Sequence, residues 1–186
     1  INLYERTSDF VDFNLERKFE LDTGEFVYPV GIALDADFIY VCDKALKAVI
    51  KMDIMRGNTV ARVDFPKGYP YKLAVNRDFL VVTDPAQHLL NVYETRNLRF
   101  VRNLCVEQPK AKNGPFSVYL TDDNTIFFKN YPDSQLTIVD VNLNKHVVFS
   151  QISTSIEGFT VAECYNNRKV LVIGSTIKNK DYRLIT

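Results

Sequence analysis

The feature that most constrains this chain is an internal repeat. Three segments align on a proline: Pro29-Val30-Gly31-Ile32-Ala33-Leu34-Asp35, Pro70-Tyr71-Lys72-Leu73-Ala74-Val75-Asn76 and Pro115-Phe116-Ser117-Val118-Tyr119-Leu120-Thr121. A fourth lacks the proline and reads Ile156-Glu157-Gly158-Phe159-Thr160-Val161-Ala162. Their starts lie 41, 45 and 41 residues apart. Apolar residues alternate within each: Ile32 with Leu34, Leu73 with Val75, Val118 with Leu120, Phe159 with Val161. A period of two predicts a strand with one buried face.

Each repeat continues in the same way. A short polar turn leads to a second run, Phe38 to Asp43, Phe79 to Asp84, Thr125 to Asn130, and Lys169 to Gly174. These runs are apolar at odd and even positions alike, as in a central strand covered on both faces. Third strands are expected over Ala48 to Ile54, Leu89 to Glu94 and Leu136 to Val141, and more mixed fourth strands over Thr59 to Phe65, Arg99 to Val106 and His146 to Ile152. Four short antiparallel strands every 40 to 45 residues is the period of a β-propeller blade. A sandwich or barrel also spaces short strands by turns, but needs no recurring four-strand unit.

The sequence therefore predicts an all-β fold of about four blades. Half a blade occupies 1–22, full blades occupy 23–65, 66–106 and 113–152, and a partial blade occupies 156–186. The Asn2-to-Thr7 stretch resembles a third strand, as Asn91 to Thr95 does, and the Tyr182-to-Thr186 tail competes with it for one position. That competition favours part of a six- to eight-bladed ring over a closed four-bladed one, with missing blades or a second chain completing it.

The first full unit, Pro29-x-Gly31-Ile32-Ala33-x-Asp35 followed by Ile39-Tyr40-Val41-x-Asp43, resembles the NHL repeat. The second keeps Pro70, Ala74, Val82 and Asp84 but places Lys72 where the repeat has glycine, and the third keeps Pro115 and the apolar spacing. There is no Trp, which sets the chain apart from WD40 repeats. The resemblance implies a scaffold that binds protein, peptide or RNA across one face. A minority of similar folds are hydrolases or lyases.

Lys+Arg and Asp+Glu both number 23, which argues against nucleic-acid binding driven by bulk charge and leaves a local patch open. Cys42, Cys105 and Cys164 have no paired spacing, and no Asn heads a glycosylation sequon. Both point to an intracellular, cytoplasmic setting, with a secreted protein lacking sequons as the alternative. No apolar run reaches the roughly 18 residues of a membrane helix.

No catalytic motif is present: no nucleophile elbow, phosphate loop or zinc-type spacing. His88 and His146 have no cysteine or histidine at ligand distance in sequence. Asp43 and Asp84 share a repeat position, where they could form a cation-binding ring or accept backbone N–H groups in a turn. The third and fourth repeats have Asn130 and Gly174 there, which favours the turn role, and no metal or cofactor is expected. Tyr28, Tyr69, Tyr71 and Phe116 fall at the starts of inner strands and form the expected partner-binding rim. Arg96, Arg99 and Arg102, with Phe100 among them, form the most basic run and the alternative, RNA-contacting edge. The expected function is a non-catalytic scaffold for a protein or peptide. An RNA-binding propeller and a metal-dependent, lactonase-like hydrolase are the alternatives.

Overall fold

The computed structural model describes residues 2–6, 13–18, 26–105, 114–130, 136–141, 146–149, 156–164, 168–175 and 183–185, with side chains described in 26–104, 114–130 and 136–141. These residues form strands and turns, and no helix. Strands β1 (Asn2–Arg6) and β2 (Phe13–Lys18) pair with each other alone. A four-stranded sheet follows, of β3 (Pro29–Leu34), β4 (Phe38–Asp43), β5 (Ala48–Asp53) and β6 (Thr59–Asp64). The second contains β7 (Leu73–Val75), β8 (Phe79–Asp84), β9 (Leu89–Glu94) and β10 (Phe100–Cys105). The third contains β11 (Pro115–Leu120), β12 (Thr125–Asn130), β13 (Leu136–Asp140) and β14 (His146–Phe149). The last is three-stranded: β15 (Ile156–Cys164), β16 (Arg168–Ser175) and β17 (Arg183–Ile185). Each is an antiparallel meander in chain order.

The turn joining the first two strands is made by the residue that closes the repeat motif. Asp35 Oδ1 accepts the N–H groups of Asp37 and Phe38 at 2.9 and 2.8 Å. Its Oδ2 accepts the Tyr40 hydroxyl at 2.6 Å. Asn76 Oδ1 accepts from Asp78 and Phe79 at 3.0 and 2.8 Å, and Thr121 Oγ1 accepts from Thr125 at 3.0 Å. Three different side chains supply one acceptor at one place, which is the Asx- and ST-turn chemistry of short polar residues.

The register also repeats. Pro29 faces Asp43 while Gly31 faces Cys42, so the ladder skips Val30. The same shift follows Pro115 and Ile156. In the second sheet the ladder begins only at Leu73, later than the repeat predicts from Pro70. Before it, the Tyr71 N–H donates to the Thr83 carbonyl at 3.0 Å and the Thr83 N–H to the Lys72 carbonyl at 2.8 Å, while the Thr83 hydroxyl takes the Lys72 N–H at 2.9 Å and donates to the Lys72 carbonyl at 3.2 Å. In the fourth repeat the register pairs Ile156 with Ser175, so Ser175, not Gly174, stands where the other repeats have Asp43, Asp84 and Asn130.

Packing runs from sheet to sheet. Inner strands β3, β7, β11 and β15 contact one another in that sequence. Between the first and second sheets lie Tyr40, Cys42 and Val49 from one side and Leu73, Leu80, Val82 and Tyr93 from the other. Val81, Leu90 and Val92 turn to the opposite side of the second sheet and meet Leu120, Ile126 and Phe128 of the third. Strand β8 thus has Leu80 and Val82 in one core and Val81 in the next, which explains its apolar character on both faces. Each such side chain, fully buried, contributes about 1.5–3 kcal/mol.

One expectation about strand faces needs correction. Leu73 and Leu120 are buried against the preceding sheet, as alternation predicts. Ile32 and Leu34, at the equivalent positions of the first sheet, are 51% and 49% exposed. They share the face of Ile39 and Val41, which are buried at 1% each. The inner edge of that face is open while its middle is covered.

Candidate binding face

The ends of β4, β8 and β12 and the starts of the inner strands lie at one end of the molecule. Asp43, fully buried, anchors it there. Its Oδ2 accepts the Val27 and Tyr28 N–H groups at 2.7 and 3.0 Å, and its Oδ1 accepts those of Ala45 and Leu46 at 3.0 and 2.9 Å. Both oxygens are committed to backbone, which is the turn role. Asp84 repeats it more loosely, accepting from Gln87 at 3.2 Å and Tyr69 at 3.4 Å. Burial holds the Asp84 carboxyl above its usual range, against the pull of the backbone N–H groups of Gln87, Tyr69 and Ala86. A Cβ on Gly68 would lie 2.0 Å from Asp84 Oδ2, so any larger residue there would have to displace the carboxylate. Among the described residues neither amide atom of Asn130 finds a hydrogen-bond partner, although the residue is 2% exposed.

On this scaffold the four expected aromatic residues do fall at one end. Tyr28 is 57% exposed, beside Val27 at 63%. Its carbonyl accepts the Lys44 N–H at 2.9 Å. The Lys44 ammonium lies 4.5 Å from the centre of the Tyr69 ring. Tyr71 and Phe116 occupy equivalent positions of the repeat in neighbouring sheets and pack with ring centroids 4.6 Å apart. Tyr69, Tyr71 and Phe116 are each partly exposed.

Sequence reasoning missed the lysines here. Lys72 is exposed; its ammonium donates to the Val30 carbonyl of the first sheet and lies 5.6 Å from the Tyr71 ring. Lys47 and Lys67 are exposed on adjoining turns. These residues are scattered along the chain, and only the shared position of three turns brings them together. The signal available was the substitution of Lys72 for the repeat glycine. In the first sheet that glycine is required by close approach: a Cβ on Gly31 would meet the Tyr71 carbonyl at 2.8 Å. The described turns at this end expose no carboxylate. Asp64, at the end of β6, is paired with Arg62 at 2.8 Å.

The opposite end differs. Its turns expose Asp37, Asp78, Asp122 and Asp123 among Arg56, Arg77, Arg96 and Arg99. Arg96 and Arg99 therefore lie away from the tyrosines. The Arg99 guanidinium is paired with Glu94 through both carboxylate oxygens, one contact being 3.1 Å, and this bond holds the Glu94 carboxyl below its usual range. Arg102 is half-buried on β10. Phe100 is 51% exposed and its ring meets Tyr93 edge-on.

Cys42 is fully buried in the core between sheets, where burial pushes its thiol well up, away from the nucleophilic thiolate form. Among the described residues no three His, Cys, Asp or Glu side chains converge to hold a metal ion. No helix among them is long and apolar enough to cross a membrane.

No protein-family model matches the chain, and no curated protein does. The structure of hydrazine synthase from Kuenenia stuttgartiensis, a β-propeller-containing protein, is similar over 89% of this chain with a TM-score of 0.62 and 16% sequence identity. The matched part is 48% of that structure, so the chain spans about half its length. At this identity the likeness speaks to fold. Together with the stacked four-stranded meanders it makes the class plain: the chain is built of β-propeller blades.

Proposed function

We propose that this chain is a non-catalytic binding module that takes a protein or peptide partner at the end where its inner strands begin. The observation that carries the proposal is the gathering of Tyr28, Tyr69, Tyr71 and Phe116 on turns from three successive blades, with Tyr28 and Val27 standing out into solvent. Aromatic side chains on rigidly anchored loops supply large contact areas at low entropic cost. The NHL resemblance agrees with this and is strongest in the first repeat, from Pro29 to Phe65, and looser in the rest. The RNA-contacting alternative has weaker support, because Arg99 is already engaged by Glu94. A metal-dependent hydrolase finds no converging ligands among the described residues.

The open inner edge bearing Ile32 and Leu34 belongs to the same reading. Equivalent residues of the next two blades are covered by the blade before them, so the natural occupant is a further blade of a larger ring.

Selection of displayed random peptides on the purified chain tests the module. Enriched peptides should bind the chain, fail to bind the Tyr28→Ala/Tyr69→Ala variant, and still bind Arg96→Ala. Equal binding to the wild type and the double tyrosine variant would sink the proposal.

A further inference from the structure

We infer that the partner held at the aromatic end is an acidic peptide segment, whose carboxylates are met by Lys44, Lys67 and Lys72; this rests on the binding-module reading above. The charge is one-sided. The described turns there carry Lys44, Lys47, Lys67 and Lys72; Asp43 and Asp84 are buried and directed at backbone N–H groups, and the exposed Asp64 at the end of β6 is paired with Arg62. A partner that lays carboxylates on this end meets ammonium groups with no competing exposed acid on those turns.

The aromatic rings sharpen the choice. Tyr69 and Tyr71 are already faced by the ammonium groups of Lys44 and Lys72. A ring so occupied is not an open cage for a cationic ligand, and it presents a tyrosine and a fixed positive charge together. Exposed Val27 and Tyr28 lie at the same end, so apolar and cationic contacts are offered together. A peptide that alternates apolar and acidic side chains matches that pattern. Single-stranded nucleic acid asks for a continuous cationic groove lined by free stacking faces, and the Tyr69 and Tyr71 rings are already faced by lysines.

The test uses defined probes on the full chain: a short labelled peptide alternating Glu with Leu and Tyr, its Gln counterpart, a single-stranded RNA oligonucleotide, and phosphatidylserine vesicles. The acidic peptide should bind at low salt and weaken as salt is raised. It should bind at least about tenfold more tightly than the Gln peptide, a difference of about 1.4 kcal/mol. Lys67→Glu, and Lys67→Glu/Lys72→Glu with an unchanged far-ultraviolet spectrum, should each lose affinity, the double variant about tenfold or more, while Arg96→Glu should not. Equal binding of the acidic and Gln peptides, both lost in Tyr28→Ala/Tyr69→Ala, would overturn the acidic specificity and leave the binding module standing. Binding of RNA or vesicles but not of peptides would overturn both, as would silence from every probe.

Discussion

The Lys51 ammonium, on a residue only 2% exposed, donates to the Thr95 carbonyl at 2.6 Å, tying the third strand of one blade to a turn of the next. It also reaches the Arg96 carbonyl at 3.2 Å and lies 3.8 Å from the centre of the Phe38 ring. Burial lowers its pKa, and the carboxylates of Asp35 and Asp37 oppose that. Lys51→Met keeps the stem and orphans the Thr95 carbonyl, so it should cost about 1–3 kcal/mol. Lys51→Ala adds a cavity and should cost about 2–5 kcal/mol. Urea denaturation of the two variants checks the order as well as the size.

Gly31→Ala should separate the first two blades. The added methyl would meet the Tyr71 carbonyl at 2.8 Å and Lys72 Cα at 3.2 Å, both of them backbone. Overpacking against backbone costs about 1–3 kcal/mol. Thermal unfolding should show a lowered midpoint. An unchanged midpoint would mean that the blades approach each other less closely.

Leu34 and Leu120 hold one position of the repeat, the first 49% exposed and the second 5%. Leu120→Ala should therefore cost about 2–5 kcal/mol, and Leu34→Ala less than about 1 kcal/mol. A large loss from Leu34→Ala, measured at several protein concentrations, would reveal that another molecule covers this edge.

Alkali should unfold the protein through its buried phenols. Burial, with the charge of Asp84, pushes Tyr93 up to about 12, from 10.0. Tyr40 moves the same way, through burial and its hydrogen bond to Asp35. The unfolded chain gives up these protons first. Stability is thus intact below pH 10 and falls as pH rises from 10 toward 12, by about 2 kcal/mol for Tyr93 at 1.36 kcal/mol per pKa unit. Tyr93→Phe should flatten that fall in a denaturation series over the same pH range.

Much of the fold was legible in the sequence because it repeats. The alternation in Leu73 and Val75, and the doubly apolar runs of β4 and β8, follow from burial that recurs once per blade. The exposure of Ile32 and Leu34 was not legible, since a residue's repeat position says which way it points and not whether a neighbour stands there. Lys51 reads as the polar member of a third strand; its burial depends on a carbonyl 44 residues away. The aromatic rim could be placed from the strand starts. Its lysines could not, because turns far apart in sequence converge only after the blades stack. The arginines, clustered in sequence, point to an end of the molecule where Glu94 already holds one of them.

The formal charge of the chain is +0, yet its described turns place lysines at one end and exposed carboxylates, among arginines, at the other. A neutral body with lysines gathered at one end, and carboxylates balanced by arginines at the other, feels little net pull from a distant charge but does feel a torque. An approaching polyanion would turn such a molecule before drawing it in. Discrimination then begins in the encounter, through the fraction of collisions that arrive tyrosine-end first, and salt would erode it by randomising orientation even where the final contacts are dry.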